Sequence, residues 1–211
     1  KWDVAGNLAI QTTTVKELYG GAQFFPVQNS NEAIVGYSFP QMFVQDLNRD
    51  PEGHVIVDGT TGLPSLNSTF IPVGRTTPKY ILGLTSSFVY KKLSLQIIGD
   101  YRGGYVFYNN AELNLDFTGA SAHTATGKYS TNTSVYTQDG NIGFWAYSPY
   151  RKAGTSYVGN AAAWKIRTVN LSYDLTSLFK HYSVVKGVKL SLLCNNVLML
   201  RPKENDFTDP E

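Results

Sequence analysis

Three groups of side chains are typed and spaced for chemistry. The first is Asp46, Asn48 and Asp50 in the run QDLNRDPEG, with Asp58 further on. Hard oxygen ligands at alternate positions followed by a glycine turn are what Ca²⁺ needs. Gly53 falls two places late for such a loop and no Glu closes it, so the same residues also suit a solvated turn of a surface hairpin. The second group is Phe144, Trp145, Tyr147 and Tyr150 beside Arg151 and Lys152. Aromatics in a long loop stack on sugar rings or anchor a protein partner, and they also serve to pack the loop itself. The third group is Gln96, Asp100, Arg102 and Asn195, polar residues carried by strands whose other face is apolar. Polar residues on the inner side of such strands could line a solute path. Asp100 and Arg102, two apart and on one face, also suit a structural ion pair.

Other chemistries lack their residues. His54, His123 and His181 stand at no metal-ligand spacing. No GxSxG, HExxH or phosphate-binding glycine loop is present. We therefore expect no enzyme and no cofactor beyond the calcium-like loop.

The elements that must position these groups are long two-faced strands. The clearest stretch is 79–102, KYILGLTSSFVYKKLSLQIIGDYR, a hairpin turning tightly at Lys91-Lys92. Tyr80, Leu82, Leu84, Phe88 and Tyr90 share one face of its first half, and Leu93, Leu95, Ile97, Gly99 and Tyr101 share one face of its second. Period-two alternation marks a sheet with one apolar and one polar face. Aromatics near both ends and a length of roughly ten residues suit a transmembrane β-barrel, whose strands need about nine to eleven. Similar patterns predict strands at about 2–16, 79–91, 93–107, 161–175 and 187–200. In the fourth, Lys165 and Arg167 break the alternation, which requires either a bulge or a place at headgroup level. The stretches 17–78 and 108–160 are rich in turn residues and read as long loops, the first holding a short hairpin with residues 54–57 as one strand.

Bulk properties agree. Of 211 residues, 42% are hydrophobic and only 16% charged, below the quarter or so usual in soluble proteins. Aromatics reach 13%, with 14 Tyr. A net charge of +2 gives no footing for nucleic acid. The single cysteine, Cys194, excludes an internal disulfide. No apolar run is long enough for a transmembrane helix, but barrel strands escape that test. The chain opens in a strand pattern at Lys1-Trp2-Asp3 with no signal peptide, so we expect mature numbering or, given both ends, a fragment.

The ordered set Trp2-Asp3…Asn7, GRTTPKYILGL from Gly74, the Tyr90-Lys-Lys-Leu turn, DYRGG from Asp100, AWKIRTVNLSY from Ala163, Asn195-Asn-Val-Leu and the closing Asp-Pro-Glu resembles a known family. It is similar to the C-terminal barrel region of SusC/RagA TonB-dependent outer-membrane transporters of Bacteroidetes, over nearly the whole chain. The resemblance implies an all-β segment of a 22-stranded antiparallel barrel, with the plug domain absent from this stretch. It implies import of glycans or peptides, energy from TonB through the missing N-terminal part, and a SusD-like lid lipoprotein. It places the protein in the outer membrane of a Gram-negative cell, against lipid. The aromatic loop group, with Arg151, would then face substrate or lid. The competing expectation is a soluble or surface β-sandwich that binds carbohydrate, and behind it a glycan hydrolase fragment. A sandwich would bury Leu82, Leu84, Leu95 and Ile97 against a second sheet.

Overall fold

The computed structural model describes residues 1–28, 31–58, 60, 63–121, 152–179, 181, 186–203, 205 and 209. The chain divides into two compact units. One comprises Lys1–Gln11, Pro78–Gly104 and Ala161–Lys203; the other comprises Thr12–Thr77, Tyr105–Asn160 and Glu204–Glu211.

The first unit is a single antiparallel sheet. Its strands are β1 (Trp2–Ile10), β6 (Tyr80–Tyr90), β7 (Leu93–Gly103), β10 (Ala163–Asp174) and β11 (Lys189–Leu200), hydrogen-bonded in the order β1-β6-β7-β10-β11. The sheet is open, with β1 and β11 as its edges. β6 and β7 pair without interruption from Tyr80↔Gly103 to Tyr90↔Leu93, and Lys91 makes the turn at φ 53°. β1 stops at Ile10, well short of residue 16. Its partner β6 begins at Tyr80, so the ladder runs out after the Gln11 N–H donates to the Lys79 carbonyl at 2.8 Å.

The register settles the anomaly in β10. Ile166 lies opposite Gly99, yet Thr168 lies opposite Ile98, so Arg167 is an extra residue in a β-bulge. A bulge reverses the facing of everything beyond it. Val169, Leu171 and Tyr173 therefore share a face with Trp164 and Ile166, and Lys165 turns to the opposite side. β11 is irregular at the same level, between Asn195 and Leu198, where Asn196 adopts φ 53°.

The second unit corrects the expectation of long irregular loops at 17–78 and 108–160. It contains a four-stranded antiparallel sheet of β2 (Phe24–Gln28), β3 (Asn31–Ile34), β4 (Gln41–Leu47) and β5 (Leu66–Arg75), and a small ladder of β8 (Val106–Tyr108) with β9 (Val158–Asn160). Residues 54–57 are no strand: they make single bridges, Arg49↔Val55 and Val57↔Pro64. They matter as core, because Val55 and Val57 are buried with Leu47, Ala153 and Tyr157. Pro72 and Gly74 disguised β5, and both lie where its pairing with β4 slips, the kind of place where a sheet tolerates proline.

One helix, α1 (Asn110–Thr118), also lies in the stretch read as loop. Asn109 caps it by accepting from the Glu112 N–H at 3.0 Å, and its amide donates to the Glu112 carboxylate at 3.0 Å. Gly119 ends it in the left-handed conformation at φ 73°, which glycine adopts without strain.

Candidate functional site

The candidate site is the five-stranded sheet itself, through the contrast between its two faces. One face carries Trp2, Val4, Gly6, Leu8 and Ile10 opposite Phe88, Ser86, Leu84, Leu82 and Tyr80. It continues through Leu95, Ile97, Gly99 and Tyr101 on β7, Trp164, Ile166, Val169, Leu171 and Tyr173 on β10, and Leu190, Leu192, Cys194, Leu198 and Leu200 on β11. No Asp, Glu, Lys or Arg occupies it, and none of these residues is buried. Leu84, near its centre, remains 40% exposed. Such a large continuous apolar surface in water would be an aggregation or membrane surface. Leu82, Leu84, Leu95 and Ile97 are all left unburied, contrary to what a sandwich requires.

Aromatics close both ends of this face. Trp2, Phe88, Tyr90 and Tyr173 stand at one end, and Tyr80, Tyr101 and Trp164 at the other, with the Tyr101 and Trp164 rings 5.0 Å apart. From Tyr80 to Tyr90 the strand covers about 34 Å at 3.4 Å per residue. Tilted by about 40°, it would span about 26 Å, close to the roughly 25 Å apolar band of outer-membrane barrels. No helix among the described residues is long and apolar enough to cross a membrane.

The opposite face is polar and carries a charged centre. Arg102 Nε donates to Asp100 Oδ2 at 3.2 Å. Arg167 Nη2 donates to the same oxygen at 3.1 Å, and Arg167 Nε donates to Asp100 Oδ1. Lys165 stands opposite Asp100 in the ladder and is 8% exposed. Asp100 is thus held from two strands, with the bulge supplying the second arginine. Gln96 lies on this face opposite Ser87 and Asn170. Thr168 donates to the Asn195 side-chain oxygen at 3.3 Å. So Gln96, Asp100, Arg102 and Asn195 share one face of the sheet. Arg167 and Lys165 were missed as members, and their broken alternation was the available signal.

In the second unit Asp46 and Asp50 accept from protein donors, and Asn48 donates to protein acceptors. Asp46 accepts from the Leu47 N–H at 2.7 Å, the Thr155 hydroxyl at 2.6 Å and Arg49 at 3.1 Å. Burial would raise its pKa, but the hydrogen bonds from Arg49, Thr155 and Leu47 outweigh that and hold the carboxyl below its ordinary value. Asn48 donates to Ser65 and the Leu66 carbonyl. Asp50 accepts the His54 N–H at 2.8 Å and pairs with its ring. Among the described residues no three His, Cys, Asp or Glu side chains gather as a metal set. Asp116 is a further polar centre that the sequence did not flag. It is 0% exposed and accepts from the Tyr157 hydroxyl at 3.1 Å and from Ser121. Phe144, Trp145, Tyr147, Tyr150 and Arg151 lie outside the described residues, as does His123.

No protein-family model matches the chain, and no curated protein matches it. Among solved structures, the RagAB peptide transporter matches at TM-score 0.71 and 17% identity, over 100% of this chain and 25% of that one. The RagAB peptide importer in its open-open state matches at 0.67 and 18%, over 97% and 24%. In its closed-closed state it matches at 0.66 and 18%, over 95% and 24%. This chain spans about a quarter of the length of those chains. Its fold is accordingly that of an antiparallel segment of a β-barrel transporter, with the barrel not closed within these residues.

Proposed function

We propose that this chain forms part of the wall and outer loops of an outer-membrane active importer of the SusC/RagA kind. The observation that carries the reading is the uncharged, unburied face of the five-stranded sheet, bounded by aromatics and long enough to cross a bilayer. The likeness to RagAB importer chains supports the same reading. The apolar face lies against lipid. The polar face with Gln96, Asp100, Arg102 and Asn195 lines the lumen. The two insertions into the sheet leave it at one end: β1, β7 and β11 finish there and β6 and β10 start there. That end faces outside, and the Lys91-Lys92 turn faces the periplasm. Phe144, Trp145, Tyr147, Tyr150 and Arg151 belong to the outer side and meet substrate or a SusD-like lipoprotein lid. TonB supplies the energy through parts of the protein outside this chain. Peptides and glycans are the substrate classes of the resemblance, and the peptide importers among the structural neighbours favour peptides.

The test is uptake by the natural host. Cells lacking the gene should lose uptake of labelled oligopeptides or oligosaccharides, and a protonophore should abolish that uptake in normal cells. Recovery of the natural polypeptide from the soluble fraction, or unchanged uptake of both classes without it, refutes the proposal.

A further inference from the structure

The turns at one end of the five-stranded sheet carry charge of one sign. Residues 89–92 and 174–189 contain Lys91, Lys92, Lys180, Lys186 and Lys189 against a single carboxylate, Asp174, a net charge of +4 (5 − 1). Lys91, Lys92, Lys186 and Lys189 are exposed. β1 leaves the balance at this end unchanged, because Lys1 pairs with Asp3 at 3.2 Å. The fold also gathers these lysines. Lys92 donates to the Ser177 hydroxyl, which ties the two turns together. The Asp174 N–H donates to the Lys92 carbonyl at 2.9 Å, and Lys189 stands opposite Asp174 in the ladder. Asp174 therefore lies between Lys92 and Lys189, and its carboxylate also accepts the Thr176 N–H at 2.8 Å.

We infer that this basic rim binds the headgroup phosphates of anionic phospholipid in the periplasmic leaflet. The inference rests on the apolar face being lipid-facing. Charge and position together choose the partner. The Lys91 ammonium lies 5.4 Å from the centre of the Tyr90 ring, and Tyr90 is one of the aromatics that close the apolar face. Aromatics at the ends of membrane-crossing elements sit at headgroup level, so a cation held against such a ring meets phosphate. Lys92 and Lys189 are each followed directly by a leucine of the apolar face, Leu93 and Leu190. An acidic protein would match the charge but not the apolar surface that begins one residue away. A phospholipid matches both, with its phosphate on the lysines and its chains on the leucines. An ammonium group has three N–H donors, so the bond to Ser177 leaves Lys92 two for phosphate oxygens.

The test uses the complete natural protein in phosphatidylcholine vesicles, carrying Cys194→Ser and a bimane fluorophore on Phe88→Cys. Phe88 lies on the apolar face two residues before Tyr90, so the label reads the lipid at this end. The probes are phosphatidylglycerol and phosphatidylcholine with the same nitroxide-bearing, quenching chains, each added in small amounts. Folding is followed separately by the heat-dependent gel shift of an intact barrel. Phosphatidylglycerol should reach half-maximal quenching at a mole fraction at least about fivefold lower, the preference that one lysine near an anionic surface supplies. Raising KCl to about 1 M, where charges are screened within about 3 Å, should bring that preference below about twofold. Lys91→Gln, Lys92→Gln and Lys189→Gln together should do the same at low salt with the gel shift intact. Equal quenching by the two lipids in the labelled protein overturns the inference and leaves the barrel reading standing. So does a preference that survives high salt, which needs no lysine variant, or one that survives in the folded triple variant. Quenching by neither lipid overturns the barrel reading, and the inference with it.

Discussion

Placing arginine on each face of β6 distinguishes a membrane wall from any water-soluble arrangement. Leu84 lies on the apolar face, four residues from Tyr80 and six from Tyr90, so it stands near the middle of the strand. Arginine on the lipid face of a barrel costs about 2–4 kcal/mol at the midplane. That is roughly a 30- to 700-fold loss in the folding equilibrium at about 1.4 kcal/mol per tenfold. Ser87 lies on the polar face, opposite Asp3 on one neighbour and Gln96 on the other. Arginine there meets a carboxylate and polar surroundings, and should cost no more than about 0.5 kcal/mol, as an ordinary surface change does. The assay is urea titration of the complete protein refolded into lipid vesicles, with Leu84→Arg and Ser87→Arg compared side by side. Equal costs, or a larger cost for Ser87→Arg, would refute the assignment of faces.

Further substitutions probe the local geometry. Gly99→Ala should destabilise by about 1–3 kcal/mol, the range for overpacking, because the new Cβ meets backbone at Lys165. Gly83→Ala should cost less than about 1 kcal/mol, since its Cβ meets the movable Asn7 side chain; the same titration ranks the two, and a reversed order would contradict the register. Asp100→Ala removes the acceptor of two guanidinium groups and leaves Arg167 with a side chain 29% exposed. The expected loss is about 2–3 kcal/mol, below the 3–5 of a fully buried pair because water reaches part of the site. A loss under about 0.5 kcal/mol, the scale of an ordinary surface change, would mean the cluster is decorative. Asp46 has its folded pKa below the ordinary value of 3.8. Its contribution is therefore fully present above that pH and fades as pH falls through the lower folded value. Hydrogen exchange at Thr155 and Tyr157 should accelerate below pH 3.8 in the unmodified protein. Asp46→Asn should flatten that dependence; an unchanged profile would remove Asp46 from the account.

What the sequence disclosed follows from where the periodicity was clean. The five long strands show because one face must be apolar at every second residue, and the turn at Lys91-Lys92 joins two such runs. In β10 the alternation failed at Lys165 and Arg167. Sequence left two explanations open, and only the register with β7 selects the bulge. The second unit was largely hidden. Its strands are short or interrupted by Pro26, Pro72 and Gly74, and its core residues Leu47, Val55, Val57 and Tyr157 come from separate segments. The helix was legible in principle: Asn109 followed by Glu112, then Gly119, is a capped start and a glycine stop. Asp100 and Arg102 could be paired from spacing alone. Arg167 could not, because it lies 67 residues from Asp100 in the chain and its approach depends on the bulge that it occupies itself. The three oxygen ligands of the calcium-like run were set by spacing too. Yet hydrogen bonding sends Asp46 to Thr155 and Asp50 to His54, partners that no local pattern announces.

The most direct measurement is spin-label accessibility along β6. Single cysteines at positions 82 to 88 of the complete protein in lipid vesicles, with Cys194 replaced, would carry a nitroxide. Its collision rates with oxygen and with a water-soluble nickel chelate are then compared. A wall strand requires alternation: oxygen dominant at 82, 84, 86 and 88, and the chelate dominant at 83, 85 and 87. Uniform access to the chelate at all seven positions, or oxygen preference at the odd ones, would contradict the account.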